Sequence, residues 1–329
     1  MRRGVDHARH FIELAGMPRE RIVDLLQLAL SFDDGAGMPR ADAELRKRLA
    51  GKSVCNLFFE ESTRTRVSFS LASRRLGAGV TNLTAPGSSI SKGETLVDTA
   101  STVEATGGDA LVVRSGASGA AYHIAQHVSV PVINAGDGTH EHPTQGMLDV
   151  YAMCRALKGG RETSFDLAGV TVAIVGDIVS SRVARSDIAV MTRLGARVIC
   201  VGPAPLAPRS LEILGCTVSS DLDEVLPELD AVQMLRIQFE RHGSGGEGKP
   251  GSPPGVGSVR EYRSLYALTE ARASAMKDGA VVMHPGPINR GLEMDGLVAD
   301  GPMSLVRKQV SAGVLVRMAV LADLLGARS

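Results

Sequence analysis

The sequence predicts an α/β protein of two domains, each a mainly parallel sheet flanked by helices, joined by a long helix and a C-terminal helix. Three observations lead there. Short apolar runs of strand length alternate with helical stretches, the pattern of parallel strands joined by crossover helices. At 329 residues the chain exceeds the usual span of a single core. A polar stretch from Lys158 to Asp166 then separates two such alternating series. The expected division is 1–157, with a C-terminal helix of about 305–327 packing back on it, and 158–304.

Taken in order, Pro18 to Phe32 places Ile22, Leu25, Leu26, Ala29 and Leu30 at helical spacing, with Pro18 suited to a first turn. A Gly-rich break over Asp33 to Pro39 leads to a short helix expected over Asp42 to Leu49. Val54 to Phe59 reads as a strand, Val67 to Leu76 as a helix and Val80 to Leu83 as a strand. The polar loop Ser88 to Thr99 turns into a helix carrying Leu96, Ala100, Val103 and Ala105. Strands at Ala110 to Val113 and Val132 to Asn134 follow, the second opening the loop AGDGTHEHPTQ. Pro143 to Leu157 is the long connecting helix. Strands of the second series are expected at Val170 to Val175, Arg197 to Val201, Ala231 to Leu235 and Ala280 to Met283, and a final helix over Leu305 to Leu325. Gly243 to Gly257 is too rich in Gly and Pro for regular structure and reads as a surface loop, either an inert insertion or an active-site lid.

Composition removes several function classes. Lys plus Arg equal Asp plus Glu at 36 each, so no net charge favours nucleic acid or an anionic membrane. Aromatics are 3% and Trp is absent, which argues against stacking platforms for single strands. Cys55, Cys154, Cys200 and Cys216 are scattered without a C-x-x-C pair, suggesting neither a zinc knuckle nor a disulfide framework. Arg2 and Arg3 are followed by no apolar signal core, and no apolar stretch is long enough to span a bilayer. A soluble cytoplasmic protein is expected.

In parallel sheets ligands gather beyond the carboxyl ends of the strands. The stretch FFEESTRTRVSF, Phe58 to Phe69, sits where a strand gives way to a helix. There the unpaired N–H groups and the helix dipole meet the hydroxyls of Ser62, Thr63 and Thr65 and the guanidinium of Arg64, a setting suited to a phosphate. The same residues also suit an ordinary helix cap at Ser62 or Thr63 with solvated arginines, and on this stretch alone the two readings stand level. Arg114, His142 to Gln145, Arg182, and Arg236 with Gln238 likewise follow strand-like runs. His142, ahead of Pro143, projects beside a helix N-terminus; by position alone it reads best as a structural histidine. Metal binding is poorly supported: His140 and His142 are two apart with no grouping that completes a site. The IVGD at Ile174 to Asp177 lacks the further glycines of a dinucleotide motif, and no P-loop is present.

The motifs STRTR (Ser62 to Arg66), SKGET (Ser91 to Thr95), HPTQ (His142 to Gln145), LRIQ (Leu235 to Gln238) and HPGP (His284 to Pro287) resemble, in order and spacing, those of the aspartate/ornithine carbamoyltransferase superfamily. HPTQ and HPGP, where ornithine enzymes show HPCQ and HCLP, resemble the aspartate branch, the catalytic chains of pyrimidine biosynthesis. The resemblance implies transfer of a carbamoyl group from carbamoyl phosphate to L-aspartate, without cofactor or metal. It implies that Ser62, Thr63, Arg64 and Thr65 hold the phosphate, and that Thr65, Arg114 and His142 face the carbonyl oxygen. Gln145 and the backbone near Pro285, Gly286 and Pro287 would hold the carbamoyl NH2, and Arg182, Arg236 and Gln238 the aspartate carboxylates, with Arg185 an alternative to Arg182. Ser88 and Lys92 would reach in from a neighbouring subunit, Lys92 both catalytic and aspartate-binding, which makes a homotrimer necessary. Domain 1–157 would bind carbamoyl phosphate and 158–304 aspartate. The HPGPINRG form also resembles chains that associate with dihydroorotase-like partners, so the implied assembly is a trimer alone or one enlarged by a regulatory or dihydroorotase-like chain. Rival readings are a carbamoyltransferase for ornithine or another amine, and an inactive scaffold homologue.

Overall fold

The computed structural model describes residues 6–84, 93–159, 163–237 and 255–326. The chain forms two compact units, Met1–Leu148 with Val310–Ser329, and Asp149–Gln309. The first unit contains, in order, α1 (Arg19–Ser31), β1 (Ser53–Phe58), α2 (Thr63–Arg75), β2 (Gly79–Thr84), α3 (Leu96–Ala105), β3 (Ala110–Ser115), α4 (Ala120–Ala125), β4 (Val132–Asp137) and the opening turns of α5 (Pro143–Lys158). Its strands make one parallel sheet in the order β2-β1-β3-β4. β1 and β3 are central and buried on both faces, which is why Val54 to Phe58 and Ala110 to Val113 are almost unbroken apolar runs. Cys55, Leu57, Leu111, Val113, Ile124 and Val132 pack into one of the unit's apolar clusters.

The pairing of β3 with β4 is irregular. Val113 lies opposite Asn134, but Ser115 lies opposite Asp137, so β4 carries one more residue than its partner over that interval. Gly136 takes the backbone conformation this needs, at φ 111°.

The helix expected over Asp42 to Leu49 is reduced to a 3-10 turn at Leu45–Lys47. The Asp42 carboxylate takes the N–H of Glu44 at 2.9 Å, and the N–H of Leu49 goes to the carbonyl of Leu76 at 2.8 Å. The first contact is a local cap of the turn, whereas the Leu49 donor leaves the helical ladder for a distant carbonyl.

The second unit contains the remainder of α5, then β5 (Thr171–Val175), α6 (Arg182–Arg193), β6 (Arg197–Val201), β7 (Thr217–Ser219), α7 (Leu222–Val225), β8 (Ala231–Met234), α8 (Val259–Tyr266), α9 (Glu270–Ala273), β9 (Val281–Met283), α10 (Gly296–Asp300) and the first residues of α11 (Val306–Leu325). The sheet is parallel in the order β7-β6-β5-β8-β9. The chain runs outward from β5 to β6 and β7, then returns to β8 and β9 on the other side. Strand order therefore reverses between β5 and β8, where open α/β sheets bind ligands.

Inside this unit the buried carboxylate of Asp149 receives Gln309 Nε2 at 2.7 Å and Gln233 Nε2 at 3.1 Å. Asp187 is fully buried nearby, and burial, with the charge of Asp149, holds its carboxyl well above the usual carboxylate range. Among the described residues no helix is long and apolar enough to cross a membrane.

Candidate active site

At the carboxyl end of β1 the chain turns into α2. Ser62 occupies the N-cap position with extended backbone, φ −162° and ψ 100°, but its hydroxyl makes no capping hydrogen bond. The ordinary cap therefore has the right backbone and lacks its defining contact. The first-turn N–H groups carry the positive end of the helix dipole beside the hydroxyls of Ser62, Thr63 and Thr65. Thr65 is buried while Thr63 and Arg64 are exposed. Desolvation lowers the pKa of Arg64, a group that starts high enough to stay cationic.

Arg114 stands at the neighbouring strand end, where register pairs it with Phe58. Its guanidinium fork spans two acceptors: Nη1 donates to the Ala135 carbonyl at 3.0 Å and Nη2 to Glu60 Oε1 at 2.8 Å. The Ala135 carbonyl belongs to the irregular stretch of β4. Glu60 was missed from sequence; its signal is the first of the two adjacent carboxylates in FFEES, at a strand end otherwise rich in cations and hydroxyls.

The third strand end leads into α5. His142 is buried, and its carbonyl receives the N–H of Gln145 at 2.8 Å, so it ends the loop and opens the helix. Gln145 is buried one turn along. The preceding turn is tied from several sides. Asn134 Nδ2 donates to the Ile12 carbonyl at 2.9 Å, to Asp137 Oδ1 at 2.8 Å and to the Glu141 carbonyl at 3.2 Å. Glu141 accepts the N–H groups of Leu14 and Ala15 at 2.9 and 3.1 Å. Because β1, β3 and β4 are sheet neighbours, the Ser62 to Thr65 turn, Arg114 and His142 follow adjacent strand ends.

In the second unit Arg182 is the first residue of α6, buried, behind the N-cap Ser181 whose hydroxyl accepts the N–H of Ala184 at 3.1 Å. Arg185 lies one turn later, partly buried, with its Nε buried and lacking a hydrogen-bond partner. Arg236 follows β8 and is partly buried. The turn after β9 holds Pro285, Gly286 and Pro287. His284 Nδ1 accepts the Gly286 N–H at 2.8 Å, so the ring proton sits on Nε2, which faces Glu293 Oε1 at 3.2 Å. The same oxygen accepts the N–H of Asn289 at 2.6 Å. Arg182, Arg236 and Gly286 thus follow β5, β8 and β9, three adjacent strands. Ser88, Lys92 and Gln238 lie outside the described residues, as does the Gly/Pro loop apart from its last three residues. Among the described residues no group of three or more His, Cys, Asp or Glu side chains is placed to hold a metal.

The family model described as aspartate/ornithine carbamoyltransferase, carbamoyl-P binding domain, matches residues 9–155, and that described as the Asp/Orn binding domain matches residues 168–324. The chain belongs to the aspartate/ornithine carbamoyltransferase family. The aspartate carbamoyltransferase catalytic subunit of Gluconacetobacter diazotrophicus is 50% identical over 319 residues, covering 97% of this chain and 93% of the relative. That of Myxococcus xanthus is 48% identical over 313 residues, covering 95% and 98%. Among solved structures, aspartate transcarbamoylase from Trypanosoma cruzi in complex with carbamoyl phosphate and aspartate matches with a TM-score of 0.79 at 28% identity, covering 97% of this chain and 96% of that one. In this carbamoyltransferase chain the first family match spans every strand end that carries Ser62 through Gln145, and the second spans those that carry Arg182, Arg236 and Gly286.

Proposed function

We propose that the chain is an aspartate carbamoyltransferase, joining carbamoyl phosphate and L-aspartate to give N-carbamoyl-L-aspartate and phosphate, the committed step of pyrimidine synthesis. The observation that carries this reading is the set of donors beyond β1, β3 and β4: an uncapped hydroxyl-rich helix start, a forked Arg114 and a buried His142. The names of the relatives favour aspartate over ornithine as acceptor.

The first turn of α2, with Ser62, Thr63, Arg64 and Thr65, receives the phosphate. Thr65, Arg114 and His142 direct donors at the carbonyl oxygen, where negative charge grows as the amine attacks. The C–N bond forms, the C–O bond to phosphate breaks with the electron pair leaving on phosphate, and the departing phosphate takes up the proton that the amine gives up. Gln145 and the backbone at Pro285, Gly286 and Pro287 hold the carbamoyl NH2. Arg182, Arg236 and Gln238 grip the carboxylates of aspartate, for which planar forks are matched. Ser88 and Lys92 come from a neighbouring copy, so the active form is a homotrimer acting in the cytoplasm. Positioning and charge stabilisation supply the acceleration.

Carbamoyl phosphate consumption assayed with L-aspartate and with L-ornithine tests the reading: turnover with aspartate is expected, and turnover with ornithine alone overturns it. Arg64→Ala should lower kcat/KM by more than about tenfold, or ~1.4 kcal/mol of transition-state stabilisation. Mixing inactive Lys92→Ala with inactive Arg64→Ala chains should restore part of the activity; no recovery despite subunit exchange overturns the shared site.

A further inference from the structure

His140 is chemically conspicuous and has no part in the reaction as described above. It lies two residues before His142, in the turn between β4 and α5. Its Nδ1 is 3.1 and 3.2 Å from the two carboxylate oxygens of Asp137, and its Nε2 is 3.5 Å from Glu13 Oε2. Both ring nitrogens face anions, an arrangement that only the doubly protonated ring satisfies. We propose that His140 is a positioning residue for His142: clasped between Asp137 and Glu13, it locks the Asp137 to Glu141 turn and so fixes where the His142 ring enters the reaction.

The need for a cation there comes from Asp137. Its carboxylate is fully buried and accepts the Gly119 N–H at 2.7 Å, Asn134 Nδ2 at 2.8 Å and the Glu141 N–H at 3.3 Å. A buried carboxylate with only neutral donors bears a large desolvation cost, which a facing cation offsets. The groups facing the His140 ring are Asp137 from its own turn, Glu13 from the N-terminal segment and, through its charge, Glu141. His7 also acts on Glu13 through its charge. The hydrogen bonds to Asp137 and then Glu13 raise the His140 pKa to about 10, against the opposing effect of burial. His140 in turn is the first cause that holds Glu13 below the usual carboxylate range. The clasp joins the N-terminal segment to the same turn that Asn134 and Glu141 anchor from below. With His140 neutral, repulsion between Asp137 and Glu13 is no longer bridged, and the displacement of the turn is passed to His142, where the turn runs into α5.

This rests on the carbamoyl-transfer reading, and the test separates the two. Wild-type chain with no turnover of carbamoyl phosphate and L-aspartate overturns that reading and this one with it. Given wild-type turnover, His140→Asn should lower kcat about ten- to a hundredfold with KM for carbamoyl phosphate nearly unchanged, since the phosphate grip on α2 is untouched. His140→Lys, which keeps a cation, should recover part of the loss. A second readout uses stability. The folded pKa of about 10 lies above the ordinary value of 6.5, so the cation's contribution is complete below pH 6.5 and is lost as pH rises through 10. The Tm gap between wild type and His140→Asn should therefore be widest near pH 6 and close toward pH 10. If that variant does not fold, Glu13→Gln, which removes the outer anion alone, should still lower kcat more than it raises KM. Unchanged kcat in a folded His140→Asn, a Tm gap flat with pH, or a loss that Lys does not relieve overturns the proposal.

Discussion

The turn after β4 in the first unit and the turn after β9 in the second each hold a histidine against a buried carboxylate, yet the two rings face different company. His140 has carboxylates at both nitrogens. His284 has a carboxylate at Nε2 and a backbone N–H at Nδ1. The first ring therefore serves as a cation that bridges two anions. The second is fixed in its Nε2–H form and passes orientation from Glu293 to the Gly286 N–H, much as a carboxylate sets a histidine tautomer in other sites. Similar parts give one turn held by charge and one held by directed hydrogen bonds.

Substitutions that keep shape and remove charge should separate the two turns, and the largest effect is expected at Asp137→Asn. Whichever way the new amide points, its NH2 meets a donor, Gly119 N–H on one side or Asn134 Nδ2 and Glu141 N–H on the other, and His140 loses its nearest anion. Denaturant unfolding should show a loss of about 2–3 kcal/mol, the cost of leaving buried donors without an acceptor. Glu293→Gln is gentler. The amide oxygen still accepts from His284 Nε2 and Asn289 N–H, so a loss of about 1–1.5 kcal/mol is expected, with KM for carbamoyl phosphate raised more than kcat is lowered. Glu13→Gln leaves Asp137 in place, and both Glu13 and His140 are partly solvated, so its stability cost should be at most about 1 kcal/mol. Should Glu293→Gln prove as damaging as Asp137→Asn, the charge-versus-geometry distinction between the turns fails.

Much of this was legible in the sequence because parallel strands buried on both faces announce themselves as apolar runs. Val54 to Phe58, Ala110 to Val113 and Thr171 to Val175 are read directly, and Arg64, Arg114 and Arg182 follow them along the chain. His142 and Pro143 likewise mark the start of α5. What was not legible is what depends on long-range pairing. β4 was expected to end at Asn134 but continues to Asp137, through an alanine and a glycine of poor strand propensity that only the pairing with β3 holds in place. α4 and β7 are too short to show a period, and the expected 42–49 helix lost its Leu49 donor to the distant carbonyl of Leu76. Glu60 and His140 carry no motif. Their partners Arg114 and Glu13 lie 54 and 127 residues away in the chain, by the numbering of each pair.

The surplus residue in β4 sets regularity against use. Deleting it would give a more even ladder with Asp137 moved back by one position, a change that any scale of strand quality would score as an improvement. It would also withdraw the Ala135 carbonyl from Arg114 and pull the clasped turn out of phase with the N-terminal segment. A redesign of this scaffold that optimises the sheet alone would therefore discard the alignment that joins Arg114 to β4.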